Sequence, residues 1–253
     1  MKIYLSIILL ALLSSSAHPL KVDFAEMLKL AEQGQTSVQF KLGVLYERGW
    51  GVPENDKTAV MWYTKAAEQG HAMAQYNLGL MYANGEGVPE NDKTAVMWYT
   101  KAAEQGHAKA QSILGNLYDH GWGVPENNKT AVMWYTRAAE QGHASAQANL
   151  GTMYADGWGV QQDYKTTVMW YTKAAEQGHA RAQTVLGTMY ANGEGVPEND
   201  VKAYVWVSMA KANGDEVAKV IIDVFKTEMT KEQIAKAQKL AAKCYESDYK
   251  DCN

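Results

Sequence analysis

A chain of 253 residues with a formal charge of −4, 47% apolar residues and two cysteines is long enough to bury a core and too poor in cysteine for a disulfide-dense scaffold. The slightly acidic balance leaves no surplus of Lys and Arg to gather on one face, which disfavours DNA and RNA as partners. Beyond the N-terminus no apolar stretch approaches the roughly 20 residues that span a bilayer, so no stable membrane insertion is expected.

The chain opens with Lys2, an apolar run from Ile3 to Leu13 and the small residues Ser14 to Ala17. This is the order of an export signal over residues 1–17, with cleavage after Ala17. A membrane anchor would need a longer run and a basic flank on its far side. A periplasmic or secreted protein is therefore expected. In such an oxidising compartment Cys244 and Cys252 can pair and staple the C-terminal tail.

A 36-residue period organises the rest. Trp62, Trp98, Trp134, Trp170 and Trp206 keep it, as do the Leu-Gly pairs from Leu42-Gly43 to Leu186-Gly187, and Gly51 to Ala72 is identical to Gly87 to Ala108. Such self-similarity means stacked supersecondary units. In chain order, a leading helix at about 22–34 matches the second half of the unit through Lys29, Glu32, Gln33 and Gly34, and covers one end. Five units follow over about 35–214. Within one unit Ala74, Leu78, Met81 and Tyr82 make one apolar stripe of a first helix. Ala95, Trp98, Tyr99, Ala102 and Ala103 do the same in a second helix, and the intervening Gly-rich loop with Pro89 must turn. Asn55, Asn91, Asn127, Asp163 and Asn199 are placed to cap the second helices, and Gly70 and its equivalents to close them. Gly79 and its counterparts lie inside first helices, at a cost of about 1 kcal/mol each relative to Ala, which close helix approach would offset; a Trp98-type ring is the expected filler. The segment 215–253 closes the array with a first-type helix from Glu216 and a last helix announced by Thr230-Lys231-Glu232-Gln233, the pattern of a capping box. The fold class expected is an all-α, right-handed solenoid of stacked helical hairpins with terminal capping helices, present as a monomer.

The pattern A-x-A-Q-x-x-L-G-x-x-Y-x-x-G-x-G-V-P-x-N, followed by A-V-x-W-Y-x-K-A-A-E-Q-G-H-A, resembles the Sel1-like repeat, a relative of the tetratricopeptide repeat. The resemblance covers about Gln35 to Gly214. It implies a protein-protein interaction scaffold or adaptor of the bacterial envelope, or a secreted one, without cofactor or catalysis. An immunity-type protein that neutralises a toxin is the alternative within the same class. Two units depart from the pattern: Gln161 stands in place of Pro, and Asp215 in place of His.

Chemistry could reside in few places. His71, His107, His143 and His179 belong to separate hairpins about 8 to 10 Å apart, too far to share one zinc ion, and a role at the helix ends is the simpler reading. Ser208-x-x-Lys211 matches the first motif of penicillin-binding enzymes, but the chain lacks S-D-N and K-T-G, so a β-lactam-binding or envelope hydrolase function is disfavoured.

A stronger signal is the difference between units. Second helices are nearly constant, whereas first helices vary at four positions that share one side at about 100° per residue. These are Ser37, Met73, Lys109, Ser145 and Arg181; Phe40, Tyr76, Ser112, Ala148 and Thr184; Lys41, Asn77, Ile113, Asn149 and Val185; and Val44, Leu80, Asn116, Thr152 and Thr188. In tetratricopeptide-like stacking first helices line the concave face, so these side chains would form the partner groove. Trp50, Trp122 and Trp158 take loop positions held elsewhere by Glu86 and Glu194; they are either contact anchors or rings folded onto adjacent units.

Overall fold

The computed structural model describes residues 24–252, and the export signal proposed for residues 1–17 lies outside them. Among the described residues there are thirteen α-helices and no strand. Helix α1 (Phe24–Glu32) leads into five hairpins: α2 (Thr36–Arg48) with α3 (Asp56–Glu68), α4 (Ala72–Asn84) with α5 (Asp92–Glu104), α6 (Ala108–His120) with α7 (Asn128–Glu140), α8 (Ala144–Asp156) with α9 (Tyr164–Ala175), and α10 (Ala180–Asn192) with α11 (Asp200–Ala212). Helices α12 (Glu216–Glu228) and α13 (Lys231–Glu246) end the array. Each first helix packs on its own second helix, which packs in turn on the first helix of the next hairpin, so a single hairpin never completes its core.

Local chemistry sets the helix ends. Asn91 Oδ1 accepts from the Thr94 amide at 3.0 Å, and Asn55, Asn127, Asp163 and Asn199 cap their helices in the same way. Thr230 and Gln233 form the reciprocal bonds of a capping box at α13. Four of the five first helices are capped by histidine: Nδ1 of His71 accepts from the Ala74 amide at 3.2 Å, and His107, His143 and His179 repeat the bond, whereas α2 starts at Gln35 without a side-chain cap.

Packing follows two rules. The stripe Ala74, Leu78 and Met81 is buried against α3 and Trp98. Gly79 meets the ring of Tyr99, and a Cβ there would lie 2.6 Å from Tyr99 Cε1. The filler over the glycine is therefore the tyrosine and not the tryptophan expected from sequence. Neighbouring positions on α5 point about 100° apart, so Tyr99 faces its own first helix while Trp98 faces the preceding hairpin. Lys101 Nζ then covers the indole of Trp98 at 4.4 Å, an arrangement shared by Lys65 over Trp62 and Lys173 over Trp170.

A ladder of buried amides joins the hairpins. Gln75 Nε2 donates to the Ala67 carbonyl at 3.0 Å, and its Oε1 accepts from Gln105 Nε2 at 2.6 Å. Gln39, Gln111, Gln147 and Gln183 repeat both bonds, the last accepting from Asn213. Their burial is permitted because each amide is satisfied on both sides.

The C-terminal end departs from the repeat. Helix α13 packs along α11 instead of returning along α12. A disulfide joins Cys244 to Cys252, and the loop it closes sends the Tyr249 hydroxyl to Asn213 Oδ1 at 2.9 Å.

Candidate partner-binding face

One side of each first helix lies opposite its buried apolar stripe, and on α4, α6 and α8 it reaches second helices through the tyrosine hydroxyls. On α4 this side carries Met73, Asn77 and Leu80, and the equivalent residues on α6, α8 and α10 continue it in register. First helices touch directly there: Asn149 Nδ2 of α8 donates to Asn116 Oδ1 of α6 at 3.2 Å.

The sequence-predicted residues divide into three groups. Met73, Lys109 and Arg181 are exposed, and among the described residues neither cation has a carboxylate within ion-pair distance. Asn77, Asn116 and Thr152 are half-buried and hold the hydroxyls of the tyrosines beneath them. Asn77 Nδ2 donates to Tyr63 Oη at 3.1 Å, Tyr135 Oη donates to Asn116 Oδ1 at 2.9 Å, and Thr152 Oγ1 lies 2.8 Å from Tyr171 Oη. Tyr63 Oη also donates to Glu47. Burial pushes the Tyr63, Tyr99 and Tyr135 phenols far above the usual range, so they remain neutral donors. Leu80 is half-buried against the next hairpin, and Thr188 Oγ1 donates to its own helix at the Val185 carbonyl, 2.8 Å away.

The third group corrects the groove drawn from sequence. Ser112, Ala148 and Thr184 are buried and not available to a partner, and Tyr76 is half-buried. This position lies toward the seam between hairpins, where it meets the cap of the following unit. Phe40 stacks on His71 and Tyr76 on His107, both with ring centroids 4.6 Å apart, whereas Thr184 Oγ1 donates to Asp215 Oδ2 at 2.6 Å. Threonine at 184 thus matches the aspartate that replaces histidine at 215. Variation here answers a neighbour inside the chain.

Each histidine is held at its own helix start. Burial lowers the pKa of His71, His107, His143 and His179, keeping Nδ1 unprotonated as an acceptor. Ser208 is half-buried on α11, with Lys211 exposed one turn later.

Trp50, Trp122 and Trp158 are about half-exposed. The Arg48 guanidinium lies 4.7 Å from the Trp50 ring centroid, and the His120 imidazole stacks 4.6 Å from that of Trp122. Both rings rest on the last residue of the first helix of their own unit. Where the loop carries glutamate, that helical residue is asparagine: Asn84 Nδ2 donates to Glu86 Oε1 at 3.1 Å, and Asn192 to Glu194 at 3.2 Å.

Adding one more period to the variable positions reaches residues that the sequence reading left out. Val217, Val220, Ile221 and Val224 occupy on α12 the places of Met73, Tyr76, Asn77 and Leu80. The three valines are 60%, 67% and 46% exposed.

The Sel1 repeat family model matches residues 36–71, 72–107, 108–143, 144–179 and 180–215, five abutting units of which four end on a capping histidine and the last on the capping Asp215. The chain belongs to the Sel1 repeat family. A Sel1 repeat protein from Oxalobacter formigenes is 41% identical, with a TM-score of 0.74, over 78% of this chain and 81% of that one. Two immunity proteins from Pseudomonas aeruginosa are 23% and 20% identical, both with TM-scores of 0.46. They cover 75% and 87% of this Sel1-repeat chain, and 72% and 83% of their own. No curated protein matches the chain. Membership makes the solenoid a protein-interaction type of scaffold, and among the described residues no helix is long and apolar enough to cross a membrane.

Proposed function

We propose that this Sel1-repeat protein is a non-catalytic adaptor that works in the bacterial envelope or after secretion and holds a protein or peptide in the groove formed by its first helices. The observation that carries this reading is the contrast between two layers. Four of the five second helices are nearly invariant, while first helices differ from unit to unit and present Met73, Lys109 and Arg181 to solvent, with no carboxylate within ion-pair distance of either cation among the described residues. An aliphatic group and unpaired cations on one face favour an acidic, partly apolar partner. The location rests on the leader-like N-terminus and on the Cys244–Cys252 disulfide, a bond that persists in oxidising compartments.

The test is affinity capture from an envelope extract with the wild type and with a Met73→Glu, Lys109→Glu variant. Both side chains are exposed, so the variant should keep its thermal transition. Loss of a specific captured protein supports the groove, and equal capture by both overturns it.

A further inference from the structure

Among the described residues, the most exposed cluster of branched aliphatic side chains lies on α12, in register with the groove. Val217, Val220, Ile221 and Val224 follow the i, i+3, i+4, i+7 spacing of one helix face; Ile221 packs partly against the core stripe of Ala218, Ile222 and Phe225, and the three valines lie outside it. β-branched residues lower helix propensity, and solvent gives nothing back for exposing them. In the internal units the places of Val220 and Val224 are covered by the second helix and by the start of the following unit, so on α12 they form a packing surface left open. The flank of α12 where a second helix of its own hairpin would pack is closed by charge, with Lys219 bonded to Glu216 at 2.6 Å and Lys226 to Asp223 at 2.7 Å; Asp223 occupies the place of the close-approach glycine Gly79, which meets Tyr99 of its own hairpin. A regular hairpin partner is thereby kept off that flank, and the valine face beside it stays open.

The neighbouring helix supplies one charge. Arg181 is exposed, stands one period before Val217, and lines with it, Val185 and Asp215 an open cleft of about 470 Å³ between the starts of α10 and α12, where the Asp215 carboxylate accepts from the buried Thr184 hydroxyl and from the Val217 amide. We infer that this C-terminal end of the groove anchors an amphipathic helix of the partner protein, which lays aliphatic side chains on the valine face and sets a carboxylate against Arg181. The inference rests on the groove reading and names the chemistry of its occupant. A helix fits because the valine face is itself a helical ridge, which interdigitates with side chains at i, i+3, i+4 and i+7 of an opposing helix. The carboxylate fits because among the described residues the guanidinium has no acid within ion-pair distance, Asp215 being bonded to Thr184 and the Val217 amide, and it offers a bidentate fork.

The experiment uses three labelled peptides of roughly 14 residues, about the length at which a helix becomes marginally stable alone. One has Leu at helical spacing and Glu beside that stripe, one has the same composition in scrambled order, and one has Lys in place of Glu. Binding to the full protein is followed by fluorescence anisotropy. Tight binding of the first peptide, at least about tenfold weaker binding to Val217→Asp, Val224→Asp, and a preference for the Lys peptide in Arg181→Glu are expected. Circular dichroism verifies that these surface variants keep the wild-type fold. Equal binding of the first peptide to wild type and the valine variant overturns the inference. So does a wild-type dimer that becomes a monomer in the valine variant, because the face then belongs to a second copy. If no peptide binds while capture still depends on Met73 and Lys109, the α12 anchor falls and the groove stands. If capture is indifferent to Met73 and Lys109, the groove reading fails on its own test.

Discussion

Replacing Gln111 by Leu tests whether the buried amide ladder holds adjacent hairpins together. Gln111 Nε2 donates to the Ala103 carbonyl at 2.9 Å, and its Oε1 accepts from Gln141 Nε2 at 2.7 Å. Both bonds vanish in the leucine variant. The Ala103 carbonyl keeps the Gly106 amide, and Gln141 keeps the Arg137 carbonyl, so no group is wholly orphaned. The loss is then about 0.5 to 1.5 kcal/mol per bond, or roughly 1 to 3 kcal/mol together, reduced by whatever the leucine gains from its apolar surroundings. For a chain of this size about 1 kcal/mol moves the melting point by roughly 2 to 4 °C. Thermal denaturation followed by circular dichroism should therefore show a fall of several degrees. The same substitution at Gln39, beside the leading helix, should cost less of the global transition, because in a stacked array each unit is tied only to its neighbours. An unchanged melting point for Gln111→Leu would refute a structural role for the ladder.

The histidine caps make stability fall with acid. Their pKa values are lowered in the fold from 6.5, so the unfolded chain takes up protons first: the contribution is whole above pH 6.5 and is lost as pH falls through the lower native values. Asn at positions 71, 107, 143 and 179 retains capping ability, and melting curves of that variant should lose most of the slope just below pH 6.5. Gly79→Ala should destabilise despite better helix propensity, because overpacking against Tyr99 costs about 1 to 3 kcal/mol against a gain near 1 kcal/mol; a raised melting point would contradict the close approach. Trp122→Glu with His120→Asn copies the pair at Asn84 and Glu86, so stability should stay within about 0.5 kcal/mol, and any loss of partner capture would mark the indole as a contact. Replacing Cys244 and Cys252 by Ser should cost about 2 to 3 kcal/mol by loop entropy, with faster hydrogen exchange confined to α11 and α13.

The order of chain elements was legible in the sequence because it depends on near-neighbour chemistry repeated five times. Turn glycines, Asn caps, the Thr230 capping box and the apolar stripes act over a few residues, and a constant period turns that local code into a solenoid. Directions between helices were not legible. That Tyr99 and not Trp98 fills the space over Gly79 depends on a rotation of about 100° along α5, and no spacing rule states which of two adjacent rings faces which neighbour. Position 76 and its equivalents varied like a binding surface, yet the fold turns them into a seam where Tyr76 answers His107 and Thr184 answers Asp215. Variation between units reports a change of surroundings, and only coordinates tell whether the surroundings are another unit or solvent. The valine face of α12 reverses the lesson. Its register could be reached by one more step of 36 residues, but its exposure depends on α13 packing along α11 instead of returning along α12, a choice made by the whole chain and not by its local sequence.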